Sequence, residues 1–180
     1  MLEFLEMCAK SNKIVSIYDD AEESDKFLTG YINCYNENEI LINHITPSGL
    51  YDGFILKQIS DIFRIDYDDK YQLKIEKLYL LKHQSHYNIN INDECLLYPI
   101  LDFALKKHLV IFVSFKKNTV FGFVQSFDNN IINLISIDDY GYNSGKCSIC
   151  IDDILEFEVD TQEAQDLKLL YELNIKSTVN

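Results

Sequence analysis

An internal repeat constrains this chain more than any single motif. The chain has six glycines. They form three pairs, each 92 residues apart: Gly30 with Gly122, Gly49 with Gly141, and Gly53 with Gly145. Glycine is favoured where the backbone needs a positive φ or where another segment approaches closely. The paired glycines therefore predict paired backbone paths, and a duplication must be identified before the fold is read.

The same offset continues beyond the glycines. Ile59 is matched by Ile151 and Asp68 by Asp160. Upstream of Gly30 the register changes, and the best match of residues 14–17 (IVSI) is to residues 112–115 (FVSF). The first copy has a longer acidic connection there, at residues 19–26. A longer surface loop costs little closure entropy, so we expect the two copies to share one fold.

Each copy is predicted to have a helix followed by five short strands and a second helix. In the first copy we expect strands at residues 13–18, 27–35, 39–45, 54–58 and 62–65. In the second copy we expect them at 109–115, 119–127, 130–137, 146–150 and 154–159. β-Branched and aromatic residues with turn residues between them indicate these strands. Helices are expected over residues 2–9, from Asp68, from Pro99 and after Asp160, where Glu163 would complete a capping box.

The predicted fold class is mainly β with short flanking helices. Five short strands with a bend-forming glycine in the second describe a small, highly bent barrel. We expect two such barrels in tandem, at residues 1–82 and 99–180, joined by a polar linker at 83–98. The tail from Lys176 is expected to be loose.

Composition excludes several function classes. The net charge of −13 disfavours nucleic acids and anionic membranes, since Lys and Arg supply most of the affinity for phosphates. No apolar run is long enough for a membrane span, and no signal segment is recognised at the start. Five cysteines without framework spacing favour a reducing compartment, and we expect a cytoplasmic protein.

Metal, cofactor and catalytic signatures are weak. Cys147 and Cys150 form a CxxC pair, but a structural zinc site needs a second pair. The acidic connection lacks the glycine and the terminal Glu of a calcium loop. His83 and His86 are interpreted as surface residues rather than metal ligands. No residue lies in a motif that activates a nucleophile, so we predict a non-enzyme with no metal and no cofactor.

The stretch Gly122–Asp128 (GFVQSFD), followed by Ile132 and Leu134, resembles the first signature of Sm-like proteins. The first copy is similar through Gly30, Ile32, Tyr35, Asn36, Ile40 and Ile42. The family's second signature is represented only by Lys146. The resemblance implies an N-terminal helix and a five-stranded SH3-type barrel in each copy, and RNA binding at the tips of strands two and three.

The candidate binding residues lie at these tips, with Lys146 added as the basic member. They are Tyr35, Asn36 and Asn38 in the first copy, and Phe127, Asp128, Asn130 and Lys146 in the second. An aromatic ring beside an amide can stack on a base and hydrogen-bond to it. The alternative interpretation is a hairpin turn, in which Asn and Asp supply turn geometry and the ring fills the core.

Our leading hypothesis is a non-enzymatic binding or regulatory protein whose tandem barrels contact another protein. The acidic field favours a basic protein partner. An RNA-binding Sm-like protein is the first alternative, although the net charge disfavours it. An acidic immunity or inhibitor protein that masks a basic partner is the second. A homo-oligomer remains open, and no membrane partner is expected.

Overall fold

The computed structural model describes residues 2–23, 25–89, 91, 95–116 and 118–178. The chain divides into two compact units, Met1–Leu96 and Leu97–Asn180. The described residues of unit 1 form two helices and five strands. They are α1 (Leu2–Lys10), β1 (Ile14–Tyr18), β2 (Leu28–Tyr35), β3 (Glu39–Ile45), β4 (Tyr51–Gln58), β5 (Arg64–Tyr67) and α2 (Lys70–Leu81). A 3-10 turn, Ile59–Asp61, joins β4 to β5.

Unit 2 repeats this order of elements. They are α3 (Leu97–Lys107), β6 (Val110–Phe115), β7 (Asn118–Phe127), β8 (Ile131–Ile137), β9 (Asn143–Cys150), β10 (Ile154–Val159) and α4 (Gln162–Thr178). A 3-10 turn, Ile151–Asp153, lies between β9 and β10. The prediction of helix, five strands and helix in each copy agrees with these elements.

Both units have the same antiparallel strand order. In unit 1 it is β5-β1-β2-β3-β4, and in unit 2 it is β10-β6-β7-β8-β9. In both, the fifth strand therefore returns to pair with the first. The predicted class, mainly β with short flanking helices, is confirmed. Among the described residues of either unit the fourth strand is not paired with the fifth, so closure into a barrel is not confirmed.

The second strand of each unit has a bulge at the same place. The register shifts between Ile32 and Cys34 in β2 and between Val124 and Ser126 in β7. An extra residue bends its strand and increases the local twist. Gly30 lies two residues before the first bulge, where a Cβ would come within 2.1 Å of a backbone oxygen. Each second strand therefore has a bulge two residues after the glycine that the repeat marks, Gly30 or Gly122.

The first strands align differently from the sequence-based match. Val15 is paired with Gly30 and Ile111 with Gly122, so Val15 corresponds to Ile111. The match of residues 14–17 to residues 112–115 is thus wrong by two positions. The error has a simple reason, because a strand rich in apolar residues matches itself about equally well after a two-residue shift.

The core of unit 1 draws side chains from several strands. A cluster of buried side chains joins α1, three strands and the segment just before β5: Leu5, Cys8, Val15, Ile17, Ile32, Ile40, Ile42 and Ile62. A second cluster lies beneath α2: Ile14, Ile45, Ile75 and Tyr79. Ile14 and Val15 are neighbours in β1 and belong to different clusters, so this strand buries side chains on both faces of the sheet.

An ion pair connects the end of β4 to the end of β1. Lys57 Nζ lies 2.7 Å from Asp19 Oδ2, and the two side chains are only 12% and 17% exposed. Charges held this far from water are costly unless paired. The pair therefore helps to hold β4 near β1 within unit 1.

The helix caps differ from the prediction. Asp69 and Gln72 form the capping box of α2. In α4 the cap is Thr161, whose Oγ1 accepts from the Ala164 amide at 3.3 Å. The expected box of Asp160 with Glu163 is wrong, because Asp160 has φ 58° and precedes the cap. The expectation of a loose tail from Lys176 is wrong as far as Thr178, where α4 ends, and residues 179 and 180 lie outside the described part of the chain.

Candidate interaction surfaces

The loop-tip residues of unit 1 build a hairpin turn. Asn36 Oδ1 accepts from the amides of Asn38 and Glu39, at 2.8 and 2.7 Å. The Asn38 carbonyl accepts from the Ile59 amide at 2.7 Å, and Tyr35 packs against the main core cluster. These atoms hold the turn in place, and binding by Tyr35, Asn36 and Asn38 stays a prediction.

Unit 2 repeats this turn. Asp128 Oδ1 accepts from the amides of Asn130 and Ile131, at 2.8 and 3.0 Å. The Phe127 ring stacks on Tyr98 with centroids 6.5 Å apart. Lys146 is paired with Ile135 on β8, whereas Phe127 is paired with Ile132, three residues earlier on the same strand. Three residues of strand span about 10 Å, so the structure places Lys146 away from the tip.

A different part of unit 2 exposes a cluster of large apolar side chains. We call it the Tyr–Leu face, and it consists of Tyr140, Tyr142, Leu169, Leu170 and Leu173. Tyr140 is 74% exposed and Leu169 is 65% exposed. Aromatic side chains that are this exposed are typical of binding surfaces rather than of isolated surface positions.

Local geometry brings the two halves of the Tyr–Leu face together. Asp138 Oδ1 accepts from the amides of Tyr140 and Tyr142, at 3.0 and 2.8 Å. Asn174 Nδ2 on α4 donates to the Tyr140 carbonyl at 3.0 Å. Gly141 has φ +75°, and a Cβ there would lie 2.5 Å from Leu170 Cβ. The tyrosine loop is therefore fixed against α4.

The corresponding helix of unit 1 presents a basic surface. We call it the lysine face, and it consists of Lys70, Leu73, Lys74, Lys77 and Leu81. These side chains are all exposed, and four of them line a shallow groove of about 340 Å³. The three lysines make no ion pair in the part of the chain that the structure describes.

The 92-residue offset shows how the two surfaces have diverged. Lys70, Lys74 and Lys77 correspond to Gln162, Asp166 and Leu169, whereas Leu81 corresponds to Leu173. The link between loop and helix is kept, since Lys82 Nζ donates to the Ser48 carbonyl at 2.7 Å and Asn174 donates to the Tyr140 carbonyl. One scaffold therefore carries a basic surface in one copy and, in the other, an apolar and aromatic surface with one carboxylate, Asp166, among the replaced positions.

His86 is not a plain surface residue. Its Nε2 lies 2.9 Å from the His44 carbonyl oxygen and 3.1 Å from that of Gly53. Carbonyl oxygens only accept, so Nε2 carries the ring proton and Nδ1 accepts from the Tyr79 hydroxyl at 2.7 Å. Burial lowers the pKa of His86 to about 4, although the two carbonyl contacts oppose this shift. The neutral ring thus fastens the segment after α2 to the β3–β4 hairpin.

His44 and Asp52 form a second polar contact in this region. His44 Nδ1 lies 3.0 Å from Asp52 Oδ2, with both side chains 17% exposed. The approach does not have hydrogen-bond geometry, and His44 Nδ1 is buried without a hydrogen-bond partner among the described residues.

The CxxC pair and the acidic connection, which the sequence analysis considered as metal sites, have local structural contacts instead. Cys147 Sγ accepts from Ser136 Oγ at 3.3 Å, while Cys150 is exposed. Asp20 Oδ1 in the acidic connection accepts from the amides of Glu22 and Glu23. Across the residues that the structure describes, no group of three or more His, Cys, Asp or Glu side chains could hold a metal ion. Over the same residues no helix has the length and apolar character needed for a membrane span.

Sequence reasoning missed the two exposed helix faces. A signal was present, since α4 has leucines at residues 167, 169, 170 and 173, more than a helix with one buried stripe requires. Only Leu167 of these four is buried. The surplus of leucine on the remaining surface could have indicated a binding function.

Comparison with known proteins gives no relative. No family model, no curated protein and no solved structure matches the chain.

Proposed function

We propose that this is a non-enzymatic binding protein, made of two Sm-like, SH3-type small barrels, that contacts a partner protein through the Tyr–Leu face. The observation that carries the proposal is the fixed position of two exposed tyrosines beside three exposed leucines. Tyrosine anchors held in place lose little entropy on binding, and they often dominate the energy of an interface.

The barrel part of the proposal is supported by strand order and curvature. In each unit the fifth strand pairs with the first, and the second strand carries a bulge. In unit 1 the core draws on β1, β2 and β3 and on Ile62, just before β5. These features are the expected ones for a sheet that curls toward closure.

The chemistry of the Tyr–Leu face specifies the partner class. Asp139, Asp166 and Glu172 are exposed in the loop and on the helix that form it. A partner with apolar side chains flanked by Lys or Arg would bury the leucines and match these carboxylates. Lysine and arginine can also lie over tyrosine rings. A protein segment that is both basic and apolar is therefore the expected partner.

Affinity capture from native lysate with the full chain as bait tests this function. The matched variant combines Tyr140→Ser and Leu169→Lys. These substitutions introduce the residues that unit 1 has at the equivalent positions, Ser48 and Lys77. We expect the amount of the main captured protein to fall at least tenfold with this variant. The control is Leu155→Ser, which alters an exposed leucine on β10 and should capture as much of that protein as the native chain.

Two results would contradict the proposal. One is a captured set that does not change with the Tyr140→Ser and Leu169→Lys variant. The other is salt-sensitive binding of a uridine-rich or adenine-rich oligonucleotide that Phe127→Ala weakens, which would favour the RNA-binding alternative.

A further inference from the structure

The lysine face and the Tyr–Leu face are complementary to each other. The first has three exposed lysines, and the only carboxylate of its helix, Glu76, accepts from Tyr31 OH at 3.2 Å instead of facing them. The second has Asp166 at the position of Lys74. One position of the duplicated scaffold therefore has opposite charge in the two copies, and surfaces of opposite charge attract each other.

Apolar contacts add to the charge complementarity. Leu73 is 45% exposed and Leu81 is 75% exposed on α2, and Leu170 and Leu173 are 40% and 59% exposed on α4. A helix that presents leucines beside lysines can pack on one that presents leucines beside carboxylates, and the lysine stems cover apolar surface. The tyrosines at the edge of α4 can receive lysine ammonium groups over their rings.

We propose that the lysine face of one copy binds the Tyr–Leu face of a second copy, so that the protein associates with itself through α2 and α4. This inference rests on the proposed function, because it names a partner for the Tyr–Leu face. The contact joins two different surfaces, so it differs from an isologous pairing of identical patches.

The contact is small and partly ionic, which sets its expected behaviour. A surface of a few helical turns falls at the weak end of protein interfaces. Association should therefore be micromolar or weaker and should decline as salt is added, because the Debye length is about 10 Å at 0.1 M salt. Sedimentation velocity of the full chain over a concentration series at low salt measures it.

A pair of charge-reversed variants tests the proposal. Variant one carries Lys70→Glu, Lys74→Glu and Lys77→Glu. Variant two carries Asp166→Lys and Glu172→Lys. Each variant alone should associate at least tenfold more weakly than the native chain, because like charges then face each other. A mixture of the two should regain association, because the reversed faces again have opposite charge.

A charge-matched control separates this contact from a general effect of net charge. Lys10→Glu, Lys106→Glu and Lys116→Glu make the same change in charge as variant one at exposed lysines outside α2 and α4. The control should associate like the native chain. Circular dichroism of every variant verifies that it is folded.

Self-association that is lost in each variant and regained in the mixture supports the inference. A native chain that stays monomeric at low salt overturns it, as does association that variant one leaves unchanged. If the chain stays monomeric while capture of another protein still depends on Tyr140 and Leu169, the self-pairing fails and the proposed function stands. If both are absent, both proposals fail.

Discussion

Acidification should destabilise unit 1 through His86. The imidazole is neutral in the fold, where it accepts from Tyr79 and lies against the carbonyl oxygens of His44 and Gly53. The rings of Tyr51 and Tyr79 pack on it, with centroids 4.6 and 5.7 Å away. A proton on Nδ1 would remove the acceptor that the Tyr79 hydroxyl uses and would place a charge among these rings.

The magnitude follows from proton linkage. The pKa of His86 is about 4 in the fold and about 6.5 in an unfolded chain. The unfolded chain therefore binds the extra proton first, so stability is retained above pH 6.5 and is lost as the pH falls toward 4. Between pH 7 and pH 5 the loss amounts to about 2 kcal/mol. Asp52, which favours the charged ring, and His44, which disfavours it, are the other titratable groups that influence His86.

Urea denaturation at pH 7, 6 and 5 measures this loss in the native chain and in a His86→Gln variant. The variant should be less stable at pH 7, because ring packing is lost, but it should show a flatter dependence on pH. His83→Asn serves as the control, since His83 is exposed and asparagine tolerates its φ of 53°. The control should reproduce the native slope.

Equal slopes for the native chain and His86→Gln would refute this reasoning. An NMR titration of the His86 ring gives an independent check. A midpoint near 6.5 would mean that burial does not favour the neutral form.

Two further predictions concern the backbone and the buried ion pair. Gly141→Ala should lower the free energy of unfolding by about 3 kcal/mol, because a Cβ there meets Leu170 and the residue also has a positive φ. Gly145→Ala should lower it by about 1 kcal/mol, because an added Cβ there has open space around it. Equal losses for the two variants in urea denaturation would contradict this. Lys57→Met should lower the free energy of unfolding by about 2 kcal/mol, because it leaves Asp19 without its cation, and adding Asp19→Leu should restore most of that loss. A double-mutant cycle by thermal unfolding measures the coupling between the two residues. Additive effects of the two substitutions would contradict the prediction.

The number, order and type of elements could be predicted from the sequence. Period-two apolar patterns, turn residues and paired glycines are local signals, because strand formation and positive φ depend on residues close in the chain. Gly49 and Gly141 illustrate this, since they have φ values of 74° and 75°. The loop-tip turns were also predictable, because Asn36 and Asp128 bond to amides two and three residues away.

The pairing register and the exposed faces depended on contacts between distant residues. The two-residue error in the first strand arose because apolar alternation repeats every second residue, and only the partner strand fixes the shift. The role of His86 depends on residues more than 30 positions earlier in the chain, in β3 and β4. Whether a leucine of α4 is buried or exposed depends on which face of the helix the sheet covers. Only the tertiary packing decides that face, because hydrophobicity alone does not say which leucines a small core can accommodate.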